Sequence, residues 1–289
     1  MGRFVARRVI GMVAVLFAIS VIVFLIFNVI PNSDPAARIA GKNADPDLIA
    51  RVNADLGLDQ PLPVQYLTMM KQIFTGQLTS YASNRNVMEQ IWEGLPATFS
   101  LCIGAAVLWM SVAVLFGYLS AVHSGRFADR ALTILSLVGI SVPVFWLAAI
   151  LLYFLSYKVQ LFPSGSYVPL TEDPLDWLYH LVLPWFTLAV LFIGFYSRVL
   201  RSNMLDAMTA DSVRSARAKG LSERQVRFRH VLRNSMIPIV TLFGLDFGMV
   251  VGGGAILTET VYNLDGVGLS AGEAIPSLAT PPLRAVTSV

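Results

Sequence analysis

The sequence predicts an all-α integral membrane protein, and three observations lead to that fold class. The chain of 289 residues is 55% hydrophobic and 13% charged, with a mean hydropathy of +0.65, whereas soluble domains carry about 25% charged residues. It contains five apolar runs long enough to cross a bilayer, and its basic residues are concentrated in alternate segments between those runs. Backbone in lipid must satisfy its hydrogen bonds internally, so we predict helices.

The five apolar runs are predicted as five transmembrane helices, because a span needs about 20 apolar residues. They are Val9–Ile30, Gly94–Val122, Ala131–Tyr157, Trp177–Ser197 and Ser235–Thr258. The basic start of the first run also fits a secretory signal. Its apolar stretch is longer than the roughly 7–15 residues of such signals, so we interpret it as a retained span.

The positions of Lys and Arg predict a cytoplasmic N-terminus. With that orientation, 14 of the 21 basic residues lie in cytoplasmic segments and 7 lie outside, and an excess of Lys and Arg marks the cytoplasmic side. The predicted regions are 1–30 (N-terminus and first span), 31–93 (an extracytoplasmic helical cap segment), 94–258 (the transmembrane core, with a cytoplasmic loop at 198–234) and 259–289 (an extracytoplasmic C-terminal segment).

Region 31–93 is too patterned for a plain loop. Asp45 before Pro46 is typical of a helix start, because aspartate caps the first turn and proline suits its first position. Apolar residues then recur at helical spacing up to the stop at Gly57. We predict further short helices over Val64–Phe74 and Val87–Trp92.

The basic block at residues 211–233, here called the connector, carries seven Lys or Arg and two acids. Gly220 suits the position just after a helix, and Ser222 with Gln225 matches a capping box that starts a new one. The pattern therefore predicts a helix, a sharp bend and a second helix. Three interpretations stay open: a topology signal, a binding site for anionic lipid headgroups, or a docking surface for a soluble partner.

Other features bear on chemistry. Cys102 is the only cysteine, and no Cys/His pattern is typical of a metal site, so we expect no metal and no cofactor. The glycines at 252–254 are not followed by lysine and do not match a phosphate-binding loop. Asp246 lies within the fifth run, where an acid is a candidate pathway residue or is hydrogen-bonded to a neighbouring helix. We interpret His180 as an interfacial histidine.

The connector and several other stretches resemble the first permease subunit of ABC importers of the dipeptide, oligopeptide and nickel group. The sequence RSARAKG at 214–220 is similar to the cytoplasmic loop of these permeases, often called the EAA motif. The resemblance extends over 56–61 (LGLDQP), 141–146 (SVPVFW), 196–198 (YSR), and 259–262 (ETVY) followed by GVG at 266–268. Asp265 stands where the family usually has proline.

This resemblance implies a type I importer permease that performs no chemistry itself and sits in a bacterial or archaeal cytoplasmic membrane. Its implied partners are a second permease subunit, two ATPase subunits, an extracytoplasmic solute-binding protein and the lipid bilayer, with no nucleic acid. The resemblance places the ATPase contact on the connector residues Arg214, Ala216, Arg217, Ala218, Gly220, Leu221 and Ser222. Peptides, nickel complexes, opines and glutathione are all substrates within the family.

Relatives have six spans, and we expect the last to be missing here, because residues 260–289 contain no run long enough to cross a membrane. The alternative functions are therefore a truncated, non-transporting remnant and a membrane anchor or sensor. A secondary transporter would show inverted repeats and several intramembrane ionisable residues, and the sequence shows neither.

Overall fold

A computed structural model of the chain describes residues 2–28, 46–77, 79–80 and 85–270. These residues form two compact units, the first ending at Trp92 and the second beginning at Glu93. The predicted cap at Asp45, the end of the first span after Asn28 and the C-terminal stretch 271–289, including the expected absence of a sixth span, lie outside the described residues.

The described elements are almost entirely helical. In chain order they are α1 (Gly2–Asn28), α2 (Pro46–Leu56), α3 (Leu62–Thr75), β1 (Thr79–Ser80), β2 (Arg85–Asn86), α4 (Val87–Val122), α5 (Phe127–Ser141), α6 (Val144–Leu151), α7 (Pro174–Met208), α8 (Asp211–Ala218), α9 (Glu223–Gln225), α10 (Arg233–Met249) and α11 (Ile256–Tyr262). Leu152–Lys158, Val226–Leu232 and Val250–Gly254 continue α6, α9 and α10 as wider π-helical turns.

Four of the five predicted spans appear as long apolar helices. Within the described residues these are Gly2–Ile26, Val87–Val122, Pro174–Met208 and Glu223–Gly254. Each is long enough for a hydrocarbon core of about 30 Å at a rise of about 1.5 Å per residue. The chain is therefore a multi-pass membrane protein, as its composition predicts.

The predicted span Ala131–Tyr157 is not one continuous helix, so the described residues contain four continuous spans, or five with this bent pair. It consists of α5 and the α6 segment, and the chain bends by 100° between them. Pro143 causes the break, because proline lacks an N–H and forces the residue before it out of helical geometry. Val142 is accordingly extended, with φ −83° and ψ 122°. The fifth span exists only if the bent pair counts as one.

The first unit contains the predicted helices of the cap segment. Helices α2 and α3 confirm them, and α3 ends at Gly76 with φ 68°, a left-handed conformation that suits glycine. Buried Gln65 donates to the carbonyls of Leu58 and Gln60 at 2.8 and 2.7 Å. The helix predicted at 87–92 is not separate, because it is the first part of α4.

The second unit has its core along α4 and α7. Its largest fully buried side chains include Trp109, Leu181, Tyr196 and Met204. Trp109 stacks on Phe192 with ring centroids 4.5 Å apart. The residues after the predicted core boundary at Thr258 belong to the same unit, and Glu259 is fully buried in it.

Helices α5 and α7 approach closely enough to exclude a side chain at Gly194. A Cβ there would clash with the carbonyl oxygen of Ser136. One turn further along α7, the hydroxyls of Ser136 and Ser197 are 2.8 Å apart and form a hydrogen bond between the two helices. Small residues at such crossings let backbones pack closely in the absence of water.

We expect Gly194→Ala to destabilise the protein by about 1–3 kcal/mol, the usual cost of overpacking a tight contact. Gly244→Ala is the matched control, because no heavy atom of the described residues lies within 4 Å of a Cβ built there. Thermal melting of both purified variants checks this, and equal melting temperatures would contradict the close approach of α5 and α7.

Candidate functional site: the connector

The first helix of the connector, α8, ends in the bend that Gly220 predicts. Gly220 has φ 80°, and its N–H donates to the Arg217 carbonyl at 2.9 Å, while the Leu221 N–H donates to the Ala216 carbonyl at 3.3 Å. This pair of bonds is the Schellman motif, which satisfies the last carbonyls of a helix and requires the left-handed residue that glycine tolerates.

The second helix begins two residues later with the predicted capping box. The Ser222 hydroxyl accepts the Gln225 N–H at 3.4 Å, and the Gln225 side chain accepts the Ser222 N–H at 3.3 Å. An ion pair closes the bend, since Arg217 Nε donates to Glu223 Oε1 at 2.8 Å. Both local predictions for the connector are confirmed.

Glu223 is exposed, yet its charged form is favoured. The hydrogen bond from Arg217 lowers the pKa of its carboxyl, and the positive charges of Arg217 and Arg227 lower it further. The carboxylate lies 2.8 Å from Arg217 Nε and 3.8 Å from Arg227 Nε, so both cations lie close to the bend.

The two faces of α8 have different roles. Val213 and Ala216 are 1% and 4% exposed and pack into the core of the second unit. The other predicted contact residues are exposed, except for Leu221, which is half-buried: Arg214, Arg217, Ala218, Gly220 and Ser222. The family resemblance places Ala216 in the ATPase contact, but in the structure it is buried and packs α8 against the core of the second unit.

The part of the connector after the bend packs onto two long helices. Val226 and Val231 are fully buried, and the ring of Phe228 lies 5.0 Å from the ring of Tyr118 on α4. The chain then continues without a loop into α10, where the Ser235 hydroxyl donates to the Val231 carbonyl at 2.9 Å. The second half of the connector therefore contacts α4 and is continuous with α10.

A charged network ties three helix ends together near the connector. Arg201 on α7 forms a bidentate pair with the Asp129 carboxylate: Nε donates to Oδ1 at 2.7 Å and Nη2 donates to Oδ2 at 2.8 Å. Asp129, at the start of α5, also accepts the Gly125 N–H at 2.8 Å and the hydroxyl of Ser120 on α4. Asp129 is only 4% exposed, whereas the Arg201 side chain is 30% exposed, so a buried and fully hydrogen-bonded carboxylate pairs with a half-buried cation.

Sequence reasoning missed this network, because Asp129 and Arg201 were counted only as loop charges. They are 72 residues apart, and nothing local indicates that they meet. The one available signal was that Asp129 is among the few acids in segments where basic residues predominate.

Asp246 has a partner on a neighbouring helix, as one of its two interpretations predicts. The hydroxyl of Tyr196 on α7 donates to Asp246 Oδ2 at 2.7 Å. Tyr196 is 1% exposed, so the carboxylate gives a buried hydroxyl its acceptor. This contact favours the hydrogen-bonded interpretation of Asp246, and a role in the pathway stays a prediction.

We expect Asp246→Asn to leave uptake within about twofold of wild type, because an amide oxygen also accepts the Tyr196 hydroxyl. Asp246→Leu, which leaves that hydroxyl unpaired, should cost about 1–3 kcal/mol of stability. Uptake and melting of both variants at matched expression test this. A collapse of uptake in a stable Asp246→Asn variant would instead show that the charge itself is required.

The remaining candidates give no separate reaction site. His180 Nδ1 lies 2.9 Å from the Asp176 carbonyl and 3.3 Å from its carboxylate, and its interfacial position stays a prediction. Across the described ranges, no group of three or more His, Cys, Asp or Glu side chains could hold a metal ion.

Two family models and several known proteins match this chain. Residues 113–285 match the family model described as binding-protein-dependent transport system inner membrane component, and residues 1–102 match the model of its N-terminal part. The chain is 36% identical over 287 residues to a probable peptide ABC transporter permease protein, y4tP, of Sinorhizobium fredii, covering 99% of this chain and 91% of that protein.

Two further relatives are similar over most of their length. The dipeptide transport system permease protein DppB of Alkalihalophilus pseudofirmus is 33% identical over 296 residues, covering 95% of this chain and 88% of that protein. The glutathione transport system permease protein GsiC of Salmonella choleraesuis is 36% identical over 269 residues, covering 93% and 85%. The connector, at residues 211–233, lies within the matched region 113–285.

Proposed function

Because this chain belongs to the family of binding-protein-dependent transport system inner membrane components and is a permease subunit of an ABC importer, we propose that its connector is the surface on which cytoplasmic ATPase subunits act. One observation carries the proposal. The connector is a capped helical corner with one face buried on the spans and the other exposed, which is the form a mechanical joint needs.

The proposed contact surface is the exposed part of the corner. Arg214 and Ala218 on α8 and Gly220 at the bend present charge, a small side chain and bare backbone to the cytoplasm. A groove on a partner can approach closely where side chains are small, while Arg214 can pair with acids at the rim of that groove. Arg217 has a different main role in this proposal, which is to stabilise the bend through its ion pair with Glu223.

Transmission through the connector follows from its buried contacts. A pull on α8 acts through Val213 and Ala216 on the core, and through Phe228 and Tyr118 on α4. The Asp129–Arg201 pair keeps the neighbouring ends of α4, α5 and α7 together, so these helices would move as one body. Closure of two ATPase subunits would thereby tilt the spans and change access to the pathway.

The proposed assembly contains a second permease subunit, two ATPase subunits and an extracytoplasmic solute-binding protein. Its substrates would be peptides or related small solutes, since relatives are named for peptide, dipeptide and glutathione transport. The N-terminus would be cytoplasmic, in a bacterial or archaeal membrane, because the basic residues are concentrated on that side. ATP hydrolysis would occur on the partner subunits.

The alternative functions have less support. Each relative reported above is named a transport permease, and none of those names favours an anchor, a sensor or a non-transporting remnant. The described residues also contain a complete connector and an intact network at Asp129.

Reconstituted transport tests the proposal. The complex purified through a tag on this chain is placed in vesicles with the solute-binding protein, and uptake of labelled dipeptides is followed with enclosed ATP or a non-hydrolysable analogue. We expect uptake only with ATP and the binding protein present. Equal uptake with the analogue, or uptake by this chain alone, would reject an ATP-driven importer.

A further inference from the structure

A groove of about 830 Å³ lies beside α4 and the first part of α7 in the second unit. Under the proposed topology it opens at the extracytoplasmic end of the membrane core. It is distinct from the connector and from the Asp129 network, and neither the transport proposal nor the relatives' names assign it a ligand. Its walls combine an apolar track, four aromatic rings and a polar mouth.

Close contacts fix the positions of two aromatic side chains that line the groove. The indole of Trp185 lies where a Cβ would stand on Gly104, so only glycine admits it. Its Nε1 donates to the Ser100 carbonyl at 2.9 Å, and Trp177 meets it edge-on with ring centroids 5.2 Å apart. Such an arrangement gives the groove a definite shape, and tryptophans of this kind favour the headgroup level of a bilayer.

The apolar track runs along one face of α4. Phe99, Ile103 and Val107 follow each other at four-residue spacing and are 41%, 52% and 63% exposed. At about 1.5 Å per residue the track is about 12 Å long, close to the roughly 15 Å thickness of one leaflet's hydrocarbon. An extended acyl chain matches it in length and polarity.

The mouth of the groove is acidic and offers a hydrogen-bond donor. Glu93 and Asp265 are exposed there, and neither has an ion-pair partner among the described residues. The indole N–H of Trp177, which lines the same groove, is buried without a partner among the described residues, and a buried donor without an acceptor is costly. An ammonium group would neutralise the acids, and a phosphate or ester oxygen would satisfy the indole.

We propose that this groove binds one phospholipid with an amine headgroup. Its ammonium lies between Glu93 and Asp265, an oxygen of its phosphate or ester accepts from Trp177, and one acyl chain follows the track on α4. The placement in the outer leaflet rests on the proposed topology and function, whereas the lipid chemistry rests on the groove alone. Asp265, which stands where the family usually has proline, supplies one of the two acids at the mouth of the groove.

The test measures lipid preference on the complex purified through this chain and held in bilayer discs of equal phosphatidylethanolamine and phosphatidylglycerol. Native mass spectrometry after release from the disc reports which lipid is retained. We expect wild type to retain phosphatidylethanolamine about tenfold in excess, and the double variant Glu93→Gln/Asp265→Asn to lose that preference. Glu89→Gln/Glu172→Gln, which removes two exposed acids that do not line the groove, should keep it.

Three results would overturn the lipid assignment. Equal retention of both lipids by wild type would indicate that another occupant, such as a helix of the second permease, covers the groove. An unchanged preference in Glu93→Gln/Asp265→Asn would place the lipid elsewhere. Displacement of the lipid by a transported peptide would assign the acids to substrate. ATP-driven uptake by the same preparations keeps the two proposals separate, because lipid preference without uptake would reject only the importer.

Discussion

Replacing Arg201 with methionine should destabilise the protein by about 3 kcal/mol, because it leaves the Asp129 carboxylate buried without its cation. Asp129 is 4% exposed, and it would keep only the bonds from Ser120 and Gly125. Because these two hydrogen bonds remain, the expected loss of stability lies at the lower end of the range for broken buried pairs. Thermal melting and the yield of folded protein in mild detergent would both fall.

Two companion variants separate this effect from a general loss of charge. Arg198→Met removes an exposed arginine one turn earlier on α7, and we expect a change within about 0.5 kcal/mol. The double variant Asp129→Asn/Arg201→Met removes both charges and should be more stable than Arg201→Met alone, which is the signature of a coupled pair. If Arg201→Met melts like Arg198→Met, the network does not hold the helix ends.

Replacing Ala218 with tryptophan should reduce ATP-driven uptake by about tenfold or more, corresponding to at least about 1.4 kcal/mol of lost coupling. Ala218 is exposed on α8 beside the bend, so the substitution leaves the core of this chain intact. A large ring there would hold the proposed ATPase groove away from the connector. Uptake per folded complex, with melting measured in parallel, gives the comparison.

Ala128→Trp is the matched control, because Ala128 is also an exposed alanine near a helix end on the predicted cytoplasmic side. We expect normal uptake from it. An Ala218→Trp variant that transports as well as Ala128→Trp would remove the exposed corner from the coupling mechanism, whereas an unfolded Ala218→Trp variant would contradict the exposure of that site.

Features encoded by neighbouring residues were predictable from the sequence. Apolar length gave four of the spans, and the turn chemistry of Gly220 and Ser222 gave the bend of the connector. The break at Pro143 was also predictable from the sequence, because proline and the residue before it disfavour a continuous helix. The length of the apolar run did not reveal this break, because the residues on both sides of Pro143 are mostly hydrophobic.

Features made by distant residues were not predictable. The family resemblance places Ala216 in the docking surface, and only the packing of α8 on the core shows that it is buried. Asp129 and Arg201 meet across 72 residues, and the groove joins Glu93 to Asp265 across most of the chain. Pairings of this kind depend on how helices pack, which a single sequence does not reveal.

The most direct test of the coupling account is to identify what copurifies with this chain. The N-terminus is tagged, native membranes are solubilised gently, and the recovered subunits are identified by mass spectrometry for wild type, Ala218→Trp and Ala128→Trp. The account predicts that wild type and Ala128→Trp recover a second permease and ATPase subunits, and that Ala218→Trp keeps the permease but loses the ATPases. Wild-type chain recovered alone at normal abundance, or ATPases retained equally by all three, would contradict it.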